Sequence, residues 1–488
     1  MNEYEKILGI KLPKKTKISY ATNSTKKIKK DTIFFGLKGL NRHGSAYAEE
    51  AINLGACIVV HNDLNFNVKN NKIFYVNDLE NKIIDFLNSF YEIDINSNNF
   101  FTFTGTNGKT SAAYLCHQLL ENKNLKSIYV GTLGIKQKKR KFDNSFSSKT
   151  TPDIFELFEI ISSLNLNDPI NICIEISSHA LDQNRFSGIS YMNSTSILNI
   201  SSDHLDYHKN LSSYIDAKFK IFKINSAIKL IDDKSKNLKN NYKFFKDNDY
   251  KITSVSDKNK SSDIFFTINE ISLLECKFNI LINNPPIGQE DFKDKIFKFS
   301  CCLFPEFNIC NLVFAICSLG FDNFSANDIN DLSFLKLPKG RVELMKNIPA
   351  NIIIDYAHNS NAFKLLLNSV EKYFDNLVVV FGCGGNRDKT KRPKMLSQAI
   401  KSSSKVIFTS DNSRNESFNN IFKDSKVGNK LDNVIAIEDR KEAIIYGSKL
   451  LGKNDCMIIL GKGHEETQEI AGKFLHHSDH EVVYEIYS

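Results

Sequence analysis

The segment Phe101-Thr-Phe-Thr-Gly105-Thr-Asn-Gly108-Lys109-Thr110-Ser111, followed by AAYLCHQLL, leaves the chain little choice of architecture. An apolar run that breaks at a glycine loop and resumes as an amphipathic helix is the repeating unit of a parallel sheet covered by helices. Glycines let backbone N–H groups close around phosphate oxygens, and the N-terminus of the following helix adds its positive end. Lys109 would reach the terminal phosphates and the Thr110 hydroxyl would ligate magnesium. The spacing is the short GTxGKT form in place of GxxxxGK[ST]. Gly105, Thr106, Asn107, Gly108, Lys109, Thr110 and Ser111 are thus the expected nucleotide-phosphate residues.

Two later segments carry candidate partners. Asn171-Ile-Cys-Ile-Glu175-Ile-Ser-Ser-His179 has a buried-strand pattern with a carboxylate near its end. Taken alone, Glu175 reads as a strand-end surface acid; beside a phosphate loop it reads as a holder of the metal ion. Ser202-Asp203-His204-Leu-Asp206-Tyr-His208 is either a turn with ordinary helix caps or a source of magnesium and nucleotide ligands. Lys218, a little further on in a helical stretch, reads by itself as a solvated charge.

With 488 residues the chain is long enough for two to four domains. Three segments are expected: 1–95, with short apolar runs at Thr32–Leu37, Ala56–Val60 and Lys72–Val76; 96–335, opening with the phosphate loop; and 336–488. The polar stretch from Asp232 to Asp263 reads as surface excursions. In the last segment the apolar runs Asn351–Ile354, Leu377–Phe381, Val406–Phe408, Val434–Ile437 and Cys456–Leu460 alternate with helix-length stretches. That alternation predicts a mostly parallel sheet. Four runs end in the tails DYAHN, GCGGNRD, TSDNSR and GKGHEE, and ligands in open α/β sheets sit beyond such strand ends.

Composition adds mainly exclusions. No apolar run approaches the roughly 20 residues that a membrane helix needs, and the first residues lack a signal-peptide core, so a cytoplasmic protein is expected. Ten scattered cysteines, with no CxxC pair, fit neither zinc nor a disulfide framework. The net charge of +8 is mild and sits largely in Lys/Asn-rich stretches, which reads as solvated surface in preference to a nucleic-acid patch.

Taken together these segments resemble the Mur ligases, most closely the MurE type, the UDP-N-acetylmuramoyl-tripeptide synthetases. GTNGKTS, TTPD, EISSHALDQNR, SDHLDYH, YIDAK, FNICN, KGRVE, IDYAHN, FGCGGNRDKTKRPKM, SDNSR and GKGHE occur in the family's order and at about its spacing. Folylpolyglutamate synthases share the phosphate loop and part of the metal site, but their later motifs differ. The resemblance implies an N-terminal uridine-nucleotide domain, a central ATPase domain and a C-terminal Rossmann-like domain. It also implies a reaction: ATP phosphorylates a substrate carboxylate, an amine attacks the acyl phosphate, and phosphate leaves. Cations and oriented N–H groups should dominate such chemistry.

By position the resemblance makes Lys109, Glu175, His204 and Lys218 catalytic residues. Thr110, Glu175, His204 and Lys218 become the magnesium site, with Lys218 carbamylated to N6-carboxylysine. Asn308, Arg341, Asp355 and His358 become further ATP contacts. Ser24 (within Asn23-Ser24-Thr25, where the family has Asp-Ser-Arg), Thr150, Thr151, Ser178, Gln183 and Arg185 become contacts to the UDP-peptide. Thr150 and Thr151 before Pro152 would otherwise read as a helix N-cap. Arg387, Asp411, Asn412, Arg414, Gly461 and Glu465 become the amino-acid site. In the family, DNPR accompanies meso-diaminopimelate, whose distal carboxylate suits a planar guanidinium. Here the motif is Asp411-Asn412-Ser413-Arg414, so the arginine stays and only the proline is replaced.

The implied reaction is addition of meso-diaminopimelate to the D-glutamate of UDP-N-acetylmuramoyl-L-alanyl-D-glutamate by a monomer using ATP and Mg2+, with no nucleic-acid or membrane partner. One alternative is the same ligation with L-lysine or another diamino acid. Another is a P-loop NTPase that binds nucleic acid, which would need a basic stripe with interleaved aromatics. The 37 phenylalanines lie mostly in apolar runs and read as core.

Overall fold

The computed structural model describes residues 3–488 apart from 40–41, 138–141, 143–149, 165–167, 187, 237 and 239–250. Its N-terminal sheet is fully parallel, in the order Tyr20–Thr22, Thr32–Gly36, Ala56–His61, Ile73–Tyr75. The helix Leu79–Tyr91 turns Leu79, Ile83, Ile84, Phe86 and Leu87 inward, the i, i+4 spacing that places side chains on one face. Phe35 of this sheet packs against Phe155 of the helix Ile154–Ser163, so one apolar core runs into the next layer.

The central sheet has eleven strands. From one edge they run Ile329–Asp331, Ile296–Cys301, Cys276–Ile282, Ile264–Ile271, Thr253–Ser256, Ser226–Asp232, Met192–Ile197, Asn99–Thr104, Asn171–Glu175, Ser127–Gly131 and Gly134–Lys136. The strands from Ile264–Ile271 through Ser127–Gly131 pair in parallel. Antiparallel pairing of Cys276–Ile282 with both its neighbours builds a twisted arm on one side. The phosphate-loop strand Asn99–Thr104 therefore sits between Met192–Ile197 and Asn171–Glu175, deep in the parallel part. Its helix, Lys109–Asn122, buries residues on nearly every side, because the helix Glu306–Leu319 packs against it.

The stretch read as surface excursions differs in one place. Thr253–Ser256 is a buried strand paired with Ser226–Asp232, although Ser and Thr make it look polar. Its hydroxyls are satisfied locally: Ser254 Oγ donates to Asp263 at 2.7 Å. Much of the remaining excursion lies outside the described residues.

The C-terminal sheet follows the order Glu343–Leu344, Asn351–Asp355, Cys456–Leu460, Leu377–Phe381, Lys405–Phe408, Val434–Ala436. All pairs are parallel except the first. The four inner strands are apolar and largely buried on both faces, as a sheet covered by helices requires, whereas the two edge strands are only partly buried. All five expected apolar runs are strands of this sheet. Among the described residues, no helix is long and apolar enough to cross a membrane.

Candidate functional site

The phosphate loop leaves its strand at Thr104 and enters the helix at Lys109. Gly108 caps that helix with φ +86°, and a Cβ there would lie 2.2 Å from Asn311 Oδ1, so glycine is required for both reasons. Asn107 and Asn199 lock the loop reciprocally: Asn107 N donates to Asn199 Oδ1 at 2.9 Å, and Asn199 Nδ2 donates back to Asn107 O at 2.9 Å. Thr106 Oγ1 donates to Ser201 O at 3.0 Å, tying the loop to the segment that carries His204. Ser111 is buried in the first turn of the helix.

Lys109 Nζ donates to Gly105 O and Thr106 O, both at 3.0 Å. Burial pushes its pKa down, and Glu175 opposes that. Glu175 is fully buried at the end of its strand. It accepts from Thr110 Oγ1 at 2.9 Å, from Thr132 N at 2.8 Å and from the Tyr129 hydroxyl. A Cβ on Gly131 would lie 2.1 Å from its Oε1. An acid this enclosed is no strand-end surface group. Tyr129 and Thr132 were not anticipated; they follow the helix in sequence, and only the strand pairing beside Glu175 brings them there.

Lys218 is 1% exposed and its Nζ donates to Gly105 O at 2.8 Å. It lies 4.7 Å from the centre of the Tyr214 ring. Burial, then Lys109, pushes its amine well below the ordinary lysine range. His204 adopts φ +52° and stacks edge-on to His179 with ring centres 5.0 Å apart. Its side chain is 47% exposed, and partial desolvation lowers its pKa against the pull of Asp203.

The C-terminal sheet closes the other side. Arg341 Nη2 donates to Thr110 Oγ1 at 3.1 Å, bridging directly to the phosphate loop. Its buried Nε has no hydrogen-bond partner among the described residues, and neither has Asn107 Nδ2. Buried donors left unpaired are costly, and here they face a space that an anion can enter. Asp355 ends its strand and accepts from Val342 N at 2.8 Å and Ala357 N at 2.7 Å. Burial raises its pKa, with Arg341 opposing. His358 Nδ1 lies 2.9 Å from Tyr356 O, and burial lowers its pKa. Asn308 Nδ2 donates to Phe304 O at 3.0 Å. Asn107, Gly108, Asn308, Arg341, Asp355 and His358 line one cavity of about 710 Å³.

Around Thr151 a third group gathers. Thr151 Oγ1 donates to Glu175 O at 2.9 Å, and Arg185 Nη1 donates to Thr151 O at 2.7 Å. Arg185 also grips Gln183 Oε1 from Nε (2.9 Å) and Nη2 (2.8 Å). Ser178 Oγ lies 2.9 Å from His208 Nε2, and Thr132 Oγ1 donates to Thr150 Oγ1 at 3.4 Å. The threonines are not the helix cap that their position before Pro152 suggests. Asp153 takes that role in a capping box with Glu156. Ser24 stands apart, before a short turn of the N-terminal sheet, and no hydrogen bond joins it to another candidate among the described residues.

From Arg341 the site continues into the C-terminal strand tails. The Arg341 guanidinium lies 4.5 Å over the Tyr356 ring, and the Tyr356 hydroxyl is 3.4 Å from Glu465 Oε1. Glu465 accepts from Asn412 Nδ2 at 3.0 Å and from the fully buried Lys462 at 3.0 Å. Gly461, with φ +110°, lets Asp411 approach: a Cβ there would be 2.6 Å from Asp411 Oδ2. Arg414 Nη1 donates to Gly385 O at 2.9 Å and its Nε faces Glu469 at 3.1 Å. A Cβ on Gly384 would meet Arg414 Nη1 at 3.1 Å and Arg387 Cγ at 3.7 Å, so both arginines lie over this glycine. Tyr356, Lys462 and Glu469 were not singled out beforehand, although the first two lie inside the motifs IDYAHN and GKGHE.

A phosphate loop and a second lobe that shares its cavity define an ATP-dependent ligase architecture, and the chain belongs to the Mur ligase family. Residues 103–319 match the Mur ligase middle domain and residues 340–463 match the Mur ligase glutamate ligase domain. Over 486 aligned residues it is 33% identical to the UDP-N-acetylmuramoyl-L-alanyl-D-glutamate–2,6-diaminopimelate ligase of Rickettsia montanensis, covering 96% of this chain and 95% of that one. A ligase of the same description (numbered 1) from Clostridium acetobutylicum is 30% identical, with 94% and 93% covered. A solved structure of a UDP-N-acetylmuramoyl-L-alanyl-D-glutamate–2,6-diaminopimelate ligase superposes with a TM-score of 0.65 at 26% identity, covering 99% of this chain and 98% of that one.

Proposed function

We propose that the chain joins meso-diaminopimelate to the D-glutamyl carboxylate of UDP-N-acetylmuramoyl-L-alanyl-D-glutamate at the expense of ATP, a step that builds peptidoglycan precursor. A D-glutamyl carboxylate oxygen attacks the γ-phosphorus, the bond to the β,γ-bridging oxygen breaks, and ADP leaves. The diaminopimelate amine then attacks the acyl carbon of the acyl phosphate. The tetrahedral intermediate expels phosphate, and the nitrogen loses its proton. Both steps concentrate negative charge, which Lys109, Arg341 and the helix N-terminus at Lys109 are placed to offset.

The donor set fits a magnesium ion bound mainly through phosphates and water, which needs only one or two carboxylates. Thr110 and Glu175, hydrogen-bonded at 2.9 Å, would hold one such ion, and His204 with Lys218 as its carbamate would help to hold a second; when bound, these ions would offset charge on the phosphates. Lys218 suits this only as a carbamate. Burial shifts its amine toward the neutral form, the form that can attack carbon dioxide to give N6-carboxylysine with release of one proton. Asn308, Asp355 and His358 line the cavity where the nucleoside of ATP would lie. Thr150, Thr151, Ser178, Gln183 and Arg185 would hold the diphosphate and peptide, with Ser24 at the uridine end. Arg387, Asp411, Asn412, Arg414, Gly461 and Glu465 would receive diaminopimelate. Domains at 1–95, 96–335 and 336–488 would each bring one substrate.

The observation that carries this reading is the unbroken line from Thr110 through Arg341 and Tyr356 to Glu465 and Asn412. It joins a phosphate loop to a strand-tail pocket that keeps the carboxylate-reading arginine. The chemistry is tested with dipeptide substrate carrying 18O in the D-glutamyl carboxylate. An acyl-phosphate route passes one labelled oxygen to inorganic phosphate in each turnover; unlabelled phosphate overturns it.

A further inference from the structure

Of FGCGGNRDKTKRPKM, the proposed reaction uses only Arg387. The same motif contains Arg392, which is 1% exposed although it carries a full charge. Its Nη1 donates to Glu416 Oε1 at 2.8 Å and to Asp424 Oδ2 at 2.7 Å. Its Nη2 donates to Glu416 Oε2 at 2.7 Å and to Gly384 O at 3.1 Å. Glu416 in turn accepts from Asn386 N at 3.0 Å and pairs with Lys389 at 3.2 Å. Arg392 holds the Glu416 carboxyl down to about 2.

These contacts fasten two loops to each other. One, after the strand Leu377–Phe381, carries Gly384 and Arg387; the other, after Lys405–Phe408, carries Asp411 to Arg414. They also touch elsewhere: Gly385 N donates to Asn412 O at 2.9 Å, Arg414 Nη1 donates to Gly385 O at 2.9 Å, Asn415 N donates to Asn386 Oδ1 at 3.1 Å, and a Cβ on Gly385 would lie 1.9 Å from Ser413 O. Neither loop has regular structure of its own, so the relative position of the two arginines depends on what crosses between them. A bidentate guanidinium–carboxylate pair fixes angle as well as distance. Buried, it cannot relax by letting water replace one partner without leaving a charge unpaired.

We infer that Arg392 and Glu416 are positioning residues for the amino-acid subsite: their pair holds the loops that carry Arg387 and Arg414 in a fixed relation over Gly384. The inference rests on the diaminopimelate reading given above. It makes discrimination of the incoming amino acid depend on a charge pair that does not touch it.

The test is Glu416→Gln, nearly isosteric, with Arg392→Lys as a second variant that keeps the charge and loses the fork. KM for diaminopimelate should rise about tenfold in each, since small misplacements of binding groups are costly. KM for ATP and for the UDP-dipeptide should stay within about twofold of the parent value. The diaminopimelate-to-lysine ratio of kcat/KM should fall. A uniform loss of kcat with unchanged KM values would mark the pair as merely structural and overturn the inference. Amide hydrogen exchange provides a readout that needs no turnover. Glu416→Gln should speed exchange at Gly385 and Asn386 while the phosphate-loop helix stays protected; unchanged exchange at those two amides overturns the inference. Should the parent protein not use diaminopimelate at all, the substrate reading fails, and the exchange result still decides the fate of the clamp.

Discussion

Lys218 is the residue whose chemistry departs furthest from its type. A carbonyl, a threonine hydroxyl and an aromatic face surround the amine of this lysine, which is 1% exposed, and among the described residues no carboxylate forms an ion pair with it. Burying an unpaired ammonium is costly enough that the group tends to shed its proton. Substituting Lys218→Ala should lower kcat by at least about 10² if its carbamate stabilises charge in the reaction. The parent, equilibrated with 13C-bicarbonate, should show a carbamate carbon signal by NMR that the variant lacks. A variant of parental activity would remove Lys218 from the mechanism. Position in the sequence could not have marked this residue, because a helical lysine is ordinarily solvated. The family resemblance pointed to it, and the burial supplies a physical reason. Tyr129 and Thr132 were hidden for a different reason: they reach Glu175 only through the pairing of strands far apart in sequence.

At the scale of elements, the loop Asp411–Arg414 shows how a missing proline is accommodated. Arg414 sits at φ +53°, held by the Thr467–His476 hairpin: its N–H donates to Glu469 O at 3.0 Å, and its carbonyl accepts from Ala471 N at 2.6 Å. Ser413 is buried, and its carbonyl accepts from Glu416 N at 3.0 Å. The Ser413 N–H has no hydrogen-bond partner among the described residues, so a proline there would remove nothing from the folded state. Ser413→Pro should keep KM for diaminopimelate within about threefold and add up to about 1 kcal/mol of stability by restricting the unfolded chain. Urea unfolding and steady-state kinetics check both; a large rise in KM would show that serine sets the loop path. The C-terminal sheet was readable because its inner strands are continuous apolar runs with polar or glycine-rich tails. Tyr20–Thr22 and Thr253–Ser256 were not, being short and rich in hydroxyls, and only their neighbours in the sheets define them as strands.

Across the whole molecule the candidate site is an inter-lobe feature. Thr110 lies far in sequence from Arg341, Tyr356, Asn412 and Glu465, yet successive contacts link all five. The family's motifs assign Thr110 and Arg341 to the ATP site and Asn412 and Glu465 to the amino-acid site, but the cavity and the contacts through Tyr356 that join them emerge only from packing. Lobes that closed around bound substrates would exclude water from an acyl phosphate that water otherwise hydrolyses. The proposed ligation of diaminopimelate is tested most directly by measuring phosphate release. Purified protein, UDP-N-acetylmuramoyl-L-alanyl-D-glutamate, ATP and magnesium would be combined with meso-diaminopimelate or with L-lysine in parallel. The account predicts phosphate release and a UDP-tripeptide with diaminopimelate, and at most weak turnover with lysine. Equal or preferential use of lysine would contradict the role given to Arg414, and folded protein that turns over with neither amine would contradict the ligase reading itself.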